Sequence, residues 1–224
     1  MRSDDQQELD RLLDEIRDEV GATGYLTGRS ALQQRVFEAL RTVRRHFFVP
    51  EELQDSAYAN HPLPIGHGQT ISQPYIVALM TDLIQPGPED VILEVGTGSG
   101  YQAAILSRLV KQVYSLEIIE ALAEQARRRL QRLGYDNVEV RTGNGHFGWS
   151  EHAPYDAIVV TAAARRVPPV LIEQLKPGGT LVIPVGRQHF GQELLAISKD
   201  EQGLTEERRV LPVAFVPLTG SADE

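Results

Sequence analysis

The residues best placed to do chemistry are Glu94-Val95-Gly96-Thr97-Gly98-Ser99-Gly100 and, further along, Glu117. Three glycines at alternate positions let the backbone turn tightly and let a ligand approach it with no Cβ in the way. Glu94 adds a carboxyl group two residues before the first glycine. Glu117 stands where α/β folds place an acid that accepts hydrogen bonds from ribose hydroxyls. Together Glu94, Gly96, Thr97, Gly98, Ser99, Gly100 and Glu117 read as a cradle for a nucleotide-like or carboxylate-bearing ligand. A glycine triplet alone would also suit a plain tight turn. A dinucleotide fingerprint fits less well, because its sixth position falls on Tyr101 instead of glycine.

Such a cradle needs a strand before it and a helix after it. Val91 to Val95 shows no alternation with polar residues, which predicts a strand buried on both faces. Ala103, Ala104, Ile105, Leu106 and Leu109 have helical spacing, so the loop opens a helix whose free N–H groups and dipole face the ligand. The alternation then continues. Strands are expected at Gln112 to Leu116, Asn137 to Arg141, Asp156 to Val160 and Thr180 to Val185. Helices are expected from Ile119 to Leu133, stopped by Gly134, and from Pro168 to Leu175, stopped by Lys176-Pro177-Gly178-Gly179. This order predicts an α/β fold with a doubly wound, Rossmann-like, mostly parallel sheet, and ligands at the carboxyl ends of its strands. Leu194 to Ser198, Glu207 to Pro212 and Val213 to Val216 read as strands without intervening helices, so the C-terminal edge should be antiparallel or mixed.

Upstream, Leu9, Leu12, Leu13, Ile16 and Val20 predict an amphipathic helix over 6–20, ended by Gly21-Ala22-Thr23-Gly24. A second helix is expected from about Ser30, as N-cap, to Arg45. Residues 1–50 thus form a helical cover on a single domain spanning 1–224, with its catalytic core at 75–224. Residues 58–74 lack periodicity, and a loop of that length inside a compact domain is usually functional. It precedes a helix from Tyr75 to Leu83 and reads as a substrate lid. His61 and His67 have no third ligand nearby, which argues against a metal. Ser72 has no Gly-x-Ser-x-Gly elbow, which argues against a hydrolase.

Composition narrows the partners. A net charge of −9 argues against a nucleic-acid surface. Arg127-Arg128-Arg129 is the main basic run and reads as a solvated helix face. With no cysteine there is no disulfide framework, thiolate metal site or cysteine nucleophile. No apolar segment is long enough for a signal peptide or a membrane span, so a cytoplasmic protein with no membrane partner is expected.

The glycine cradle, Glu117 and Pro154-Tyr155-Asp156-Ala157-Ile158 resemble class I S-adenosylmethionine-dependent methyltransferases, and Leu175-Lys176-Pro177-Gly178-Gly179 continues the likeness. More narrowly, Leu63-Pro64-Ile65-Gly66-His67-Gly68-Gln69-Thr70-Ile71-Ser72-Gln73-Pro74 is similar to the hallmark loop of the protein-L-isoaspartate O-methyltransferases, as is Val216-Pro217-Leu218-Thr219. The likeness runs from about Ala31 to Thr219. It implies methyl transfer from S-adenosylmethionine, leaving S-adenosylhomocysteine, to the carboxylate of L-isoaspartyl residues in damaged proteins and peptides. The ester then closes to a succinimide, whose hydrolysis restores some normal aspartate.

By the same resemblance Ser72 is the active-site serine, and Thr70 and Ile71 adjoin the cofactor. Glu117 holds the ribose, Asn144 and Gly145 the adenine, and Thr219 helps close the site. Ile65, Gly66, His67, Gly68, Gln69 and Val216 face the substrate. No metal is implied, because an isoaspartyl carboxylate is already ionised near neutral pH. The chain departs from the family pattern at Asn144, where many members carry aspartate, and near Arg44, where a proline is common. A monomer is expected. A small-molecule methyltransferase, a non-catalytic S-adenosylmethionine-binding module and a nicotinamide dehydrogenase are the competing readings.

Overall fold

The computed structural model describes residues 3–187 and 190–220. Its first helix, α1 (Ser3–Thr27), is longer than expected and runs straight through Gly21 and Gly24. Leu9, Leu12, Leu13, Ile16 and Val20 are all buried, so the apolar stripe is as read. Thr23 then keeps the next turn helical: its hydroxyl donates to the Glu19 carbonyl at 2.7 Å and meets the Tyr75 hydroxyl at 2.6 Å. Tertiary anchoring outweighs the roughly 1 kcal/mol penalty of a glycine in a helix. The stop is Gly28, at φ +68°, whose N–H closes on the Gly24 carbonyl.

The second helix, α2 (Gln34–Thr42), is shorter than the expected Ser30 to Arg45. Its cap is not Ser30. Asp82 accepts the Gln33 N–H at 2.7 Å, and Arg45–Phe48 forms a separate 3-10 turn. The stretch expected to be a structureless lid contains a hairpin, β1 (Leu63–Gly66) antiparallel to β2 (Gln69–Ile71). His67 and Gly68 at its tip have φ of +53° and +71°, the two positive values that a type I′ turn requires. The buried helix α3 (Pro74–Leu83) follows, with proline at its first position.

The remaining strands and helices build one sheet. Along the chain they are β3 (Val91–Val95), α4 (Tyr101–Ser107), β4 (Gln112–Glu117), α5 (Glu120–Arg132), β5 (Val138–Thr142), β6 (Tyr155–Val160), α6 (Pro169–Glu173), β7 (Leu175–Gly186), β8 (Gln192–Lys199) and β9 (Thr205–Val213). Among the described residues the sheet has the order β5-β4-β3-β6-β7-β8-β9. The first five strands are parallel, whereas β7–β8 and β8–β9 are antiparallel, as the change of pattern suggested. Chain order reverses at β3, which lies between β4 and β6, and open α/β sheets bind ligands at such a point.

Two C-terminal expectations need correction. Lys176 to Gly179 does not separate a helix from a strand. Leu175 already pairs with Tyr155, and the four residues bulge within β7. Val213 to Val216 is not a further strand either, since β9 ends at Val213. The chain then crosses back, with Val216 accepting the Ala163 N–H and Leu218 donating to the Ala163 carbonyl, both at 2.8 Å. Among the described residues no helix is long and apolar enough to cross a membrane.

Candidate active site

The loop after β3 is shaped by backbone conformations that only glycine adopts cheaply. Gly96, Gly98 and Gly100 have φ of +97°, +53° and +88°. A Cβ on Gly96 would run into the Thr161 hydroxyl, which donates to the Gly96 carbonyl at 2.6 Å. The N–H groups of Gly96 and Thr97 both donate to the Leu116 carbonyl, which ties the loop to the end of β4. Glu117 completes the tie: one carboxylate oxygen accepts the Gly98 N–H at 2.8 Å and the other the Ile119 N–H at 2.9 Å. The acid expected to meet a ribose thus also sets the loop that would meet the rest of the cofactor.

Arg129 reaches back from α5 to donate to the Ser99 carbonyl at 2.8 Å, and Arg127 donates to the Val140 carbonyl. Arg127 and Arg128 are exposed, as expected of a solvated face, with Arg128 paired to Glu124, whereas Arg129 is half-buried. Arg129 was not legible as a loop support, because a cation on a helix reads as solvated until its target carbonyl is known.

Glu94 lies beneath the loop and not on its open face. It is fully buried, and its Oε2 accepts from Ser115, whose hydroxyl lies 2.5 Å from that of Thr97. Among the described residues its Oε1 makes no direct hydrogen bond, the Ala103 N–H being the backbone donor that faces the carboxyl group. Burial pushes its pKa up to about 8, with the Ser115 hydroxyl opposing the shift and the Glu117 charge adding to it. A carboxyl group whose pKa is raised by folding favours the protonated state. Its contribution is therefore full at low pH and is lost as pH rises from the ordinary 4.5 towards about 8. The melting temperature of the wild type should fall relative to that of Glu94→Gln across that window. Parallel melting curves for the two proteins would show that Glu94 stays charged in the fold.

A second wall comes from β2 and the residue after it, Gln69 to Ser72. The Ser72 carbonyl is held by Arg45 at 3.0 Å, while its hydroxyl has no partner among the described residues. Arg45 is completely buried and also donates to the carbonyls of Ala57 at 3.0 Å and His61 at 3.3 Å, with its guanidinium over the Tyr101 ring. The third wall is the returning C-terminal segment, Val216 to Thr219. The three enclose a cleft of about 750 Å³, including its open mouth.

This cleft gathers most of the residues singled out from the sequence: Gln69, Thr70, Ile71, Ser72, Gly96, Thr97, Gly98, Ser99, Glu117, Gly145, Val216 and Thr219. It does not gather the rest. Gly66, His67 and Gly68 sit at the exposed hairpin tip, and Ile65 packs against the main core with its tip near Gly98. Gly100 begins α4 behind the loop. Asn144 also lies off the wall, because its carboxamide is engaged at both ends. The oxygen accepts the His146 N–H at 3.0 Å and the nitrogen donates to the Gly220 carbonyl. The structure adds Thr161, Gln102, Ile118 and Leu218 to the wall. Thr161 carried a weak signal as the first polar residue after an apolar strand.

The arrangement fits a nucleoside bearing an amino-acid chain. Positive-φ glycines open the backbone to close approach, and Glu117 lies at the end of β4. Ile118, an apolar side chain left 37 % exposed in a cleft wall, offers a face to a planar base. Strand order, glycine loop and terminal acid define a class I S-adenosylmethionine-dependent methyltransferase. Residues 25–223 match the family model described as protein-L-isoaspartate(D-aspartate) O-methyltransferase, and the chain belongs to that family.

Among its relatives is protein-L-isoaspartate O-methyltransferase 2 of Syntrophobacter fumaroxidans. It is 61 % identical over 210 residues, which cover 94 % of this chain and 85 % of the relative. The protein of the same name from a Polaromonas species is 58 % identical over 93 % of this chain and 99 % of its own. A solved protein-L-isoaspartate O-methyltransferase superposes with a TM-score of 0.82 at 26 % identity, over 95 % of this chain and 66 % of that one. Another, from Plasmodium falciparum and in complex with S-adenosyl-L-homocysteine, shares the fold with a TM-score of 0.73 at 24 % identity, over 92 % of this chain and 97 % of that one. The chain is a protein methyltransferase that acts on isoaspartyl residues, and the small-molecule, binding-module and dehydrogenase readings fall away.

Proposed function

We propose that the cleft brings the carboxylate of an isoaspartyl residue to bound S-adenosylmethionine, with Ser72 orienting that carboxylate. The observation that carries this reading is that Ser72, its hydroxyl without a partner among the described residues, shares one cleft with the glycine loop. S-adenosylmethionine supplies an electrophilic methyl group on a positively charged sulfur. The protein's task is then to place a carboxylate oxygen in line at about 3 Å and to exclude water. No residue is needed to remove a proton from the nucleophile.

In this reading Gly96, Thr97, Gly98 and Ser99 bind the cofactor through the backbone, Glu117 accepts from its ribose, and Gly145 leaves room beside the base. A Cβ at Gly145 would strike Val95, which keeps that passage glycine-only. Thr70 and Ile71 adjoin the cofactor. Gln69 and Val216 meet the substrate backbone in an extended, β-type contact that reads the main chain and not the side chains. Thr219 closes the third wall. We take the chain as one domain with a helical cover, working as a cytoplasmic monomer on damaged proteins and peptides. Its charge of −9 speaks against nucleic acid.

The test is transfer of labelled methyl from S-adenosylmethionine to a peptide containing isoaspartate, with its normal aspartyl isomer as control. Only the first should be labelled. Ser72→Ala should lower kcat by about ten- to a hundredfold, the worth of one hydrogen bond to a charged group. S-adenosylhomocysteine affinity should stay unchanged. Full turnover by the variant would remove Ser72 from the mechanism.

A further inference from the structure

Helix α1 lies almost entirely outside the region 25–223 that defines the family, yet it reaches the catalytic loop. Glu19, on its last turns, accepts from the Asn60 carboxamide at 2.7 Å and from the Gln73 carboxamide at 3.2 and 3.3 Å. Both carboxylate oxygens are taken by carboxamide donors. Gln73 directly follows Ser72. Asn60 in turn accepts the Tyr75 N–H at 3.0 Å, one of the free donors at the start of α3. Thr23, one helical turn beyond Glu19, meets the Tyr75 hydroxyl.

The backbone at Ser72 and just beyond it is thereby fixed. Arg45 holds the Ser72 carbonyl, and Glu19 holds the next side chain and, through Asn60, the first turn of the helix beyond it. A serine hydroxyl turns about a single bond with three staggered positions, so fixing its backbone fixes where it can point.

We propose that α1 belongs to the catalytic apparatus, with Glu19 a positioning residue that acts through Gln73 and Asn60 to set the aim of Ser72. The inference rests on the reading of Ser72 given above. The packing of α1 is carried by Leu9, Leu12, Leu13, Ile16 and Val20, so Glu19 is free to serve the loop instead of the fold. Small misplacements of an orienting group are costly: a shift of about 1 Å can lower a rate a hundredfold.

The test is a double-mutant cycle on the full chain, with kcat and KM measured on the isoaspartyl peptide and S-adenosylhomocysteine affinity by calorimetry. Glu19→Ala should lower kcat about five- to tenfold at unchanged S-adenosylhomocysteine affinity. Glu19→Gln, which keeps one acceptor oxygen, should recover most of that loss. In a Ser72→Ala background Glu19→Ala should cost almost nothing further, because residues acting through one another are not additive. Should Glu19→Ala fail to fold, Gln73→Leu cuts the same link from its other end and carries the same cycle. If Ser72→Ala is impaired but the Glu19 loss is absent, or multiplies in full with that of Ser72, the positioning role is overturned and the Ser72 reading stands. Full turnover by Ser72→Ala would sink that reading, and this inference with it.

Discussion

Glu117→Gln is expected to weaken S-adenosylhomocysteine binding about a hundredfold, nearly as much as Glu117→Ala. The exchange keeps size and shape, and at a residue that only met ribose hydroxyls it would be mild. Here the two carboxylate oxygens accept the Gly98 and Ile119 N–H groups. A carboxamide has one oxygen and one NH2, so one of those two donors must face another donor. The strand end and the glycine loop would move apart, and the cradle would lose its shape with its acid. S-adenosylmethionine and S-adenosylhomocysteine share the ribose and should suffer equally. Calorimetric titration of both ligands checks this, and a variant that binds either at full strength would show that the loop does not depend on Glu117.

Arg45→Met should cost about 2–4 kcal/mol of stability and lower turnover as well. Two effects oppose each other. The variant sheds the cost of burying a charge, visible in an arginine pKa lowered by burial to about 10. It also leaves the Ala57, His61 and Ser72 carbonyls without their donor, at about 1–3 kcal/mol for each group that water cannot reach. Three carbonyls outweigh one relieved charge. For a protein of this size the melting temperature should drop by about 5–15 °C. Arg45→Lys should fall between the two, since an ammonium is a point charge that cannot span three acceptors set for a planar fork. A melting temperature within a degree or two of the wild type for Arg45→Met would show those carbonyls to be hydrated.

The parts of this fold that could be read from the sequence are those decided by burial and by backbone chirality. Val91–Val95 has the expected bounds because a strand covered on both faces leaves an uninterrupted apolar run. The glycine loop was legible because positive φ selects glycine. What the sequence hid was decided by distant partners. Gly21 and Gly24 looked like a helix stop until Thr23 found Tyr75. The hairpin at Leu63–Ile71 was masked by Pro64 and by a histidine where type I′ turns usually place Asn, Asp or Gly.

The site was legible in part for the same reason. Ser72, Thr97 and Glu117 carry chemistry in their own type and position. Arg45, Arg129 and Glu19 do not: each is an ordinary charged residue on a helix or turn until the carbonyl or carboxamide it meets is placed beside it. Asn144 shows another side of this, a residue expected at the adenine whose carboxamide also fastens the fold. Its oxygen caps a 3-10 turn and its nitrogen fastens Gly220.

That last feature bears on how the protein ages. Asparagine deteriorates when the nitrogen of the next residue attacks its side-chain carbonyl carbon and ammonia leaves, and a following glycine offers the least obstruction. Asn144-Gly145 is such a pair, in a molecule whose substrates are the products of that decay. Attack requires the carboxamide to swing towards the Gly145 nitrogen, and the bonds to His146 and Gly220 hold it elsewhere. The other two asparagines of the chain are restrained as well, Asn60 by Glu19 and Tyr75, and Asn137 by the carbonyls of Ser107 and Val110. All three asparagines are thus held away from the motion that starts the lesion, and peptide mapping after prolonged incubation should find each of them intact.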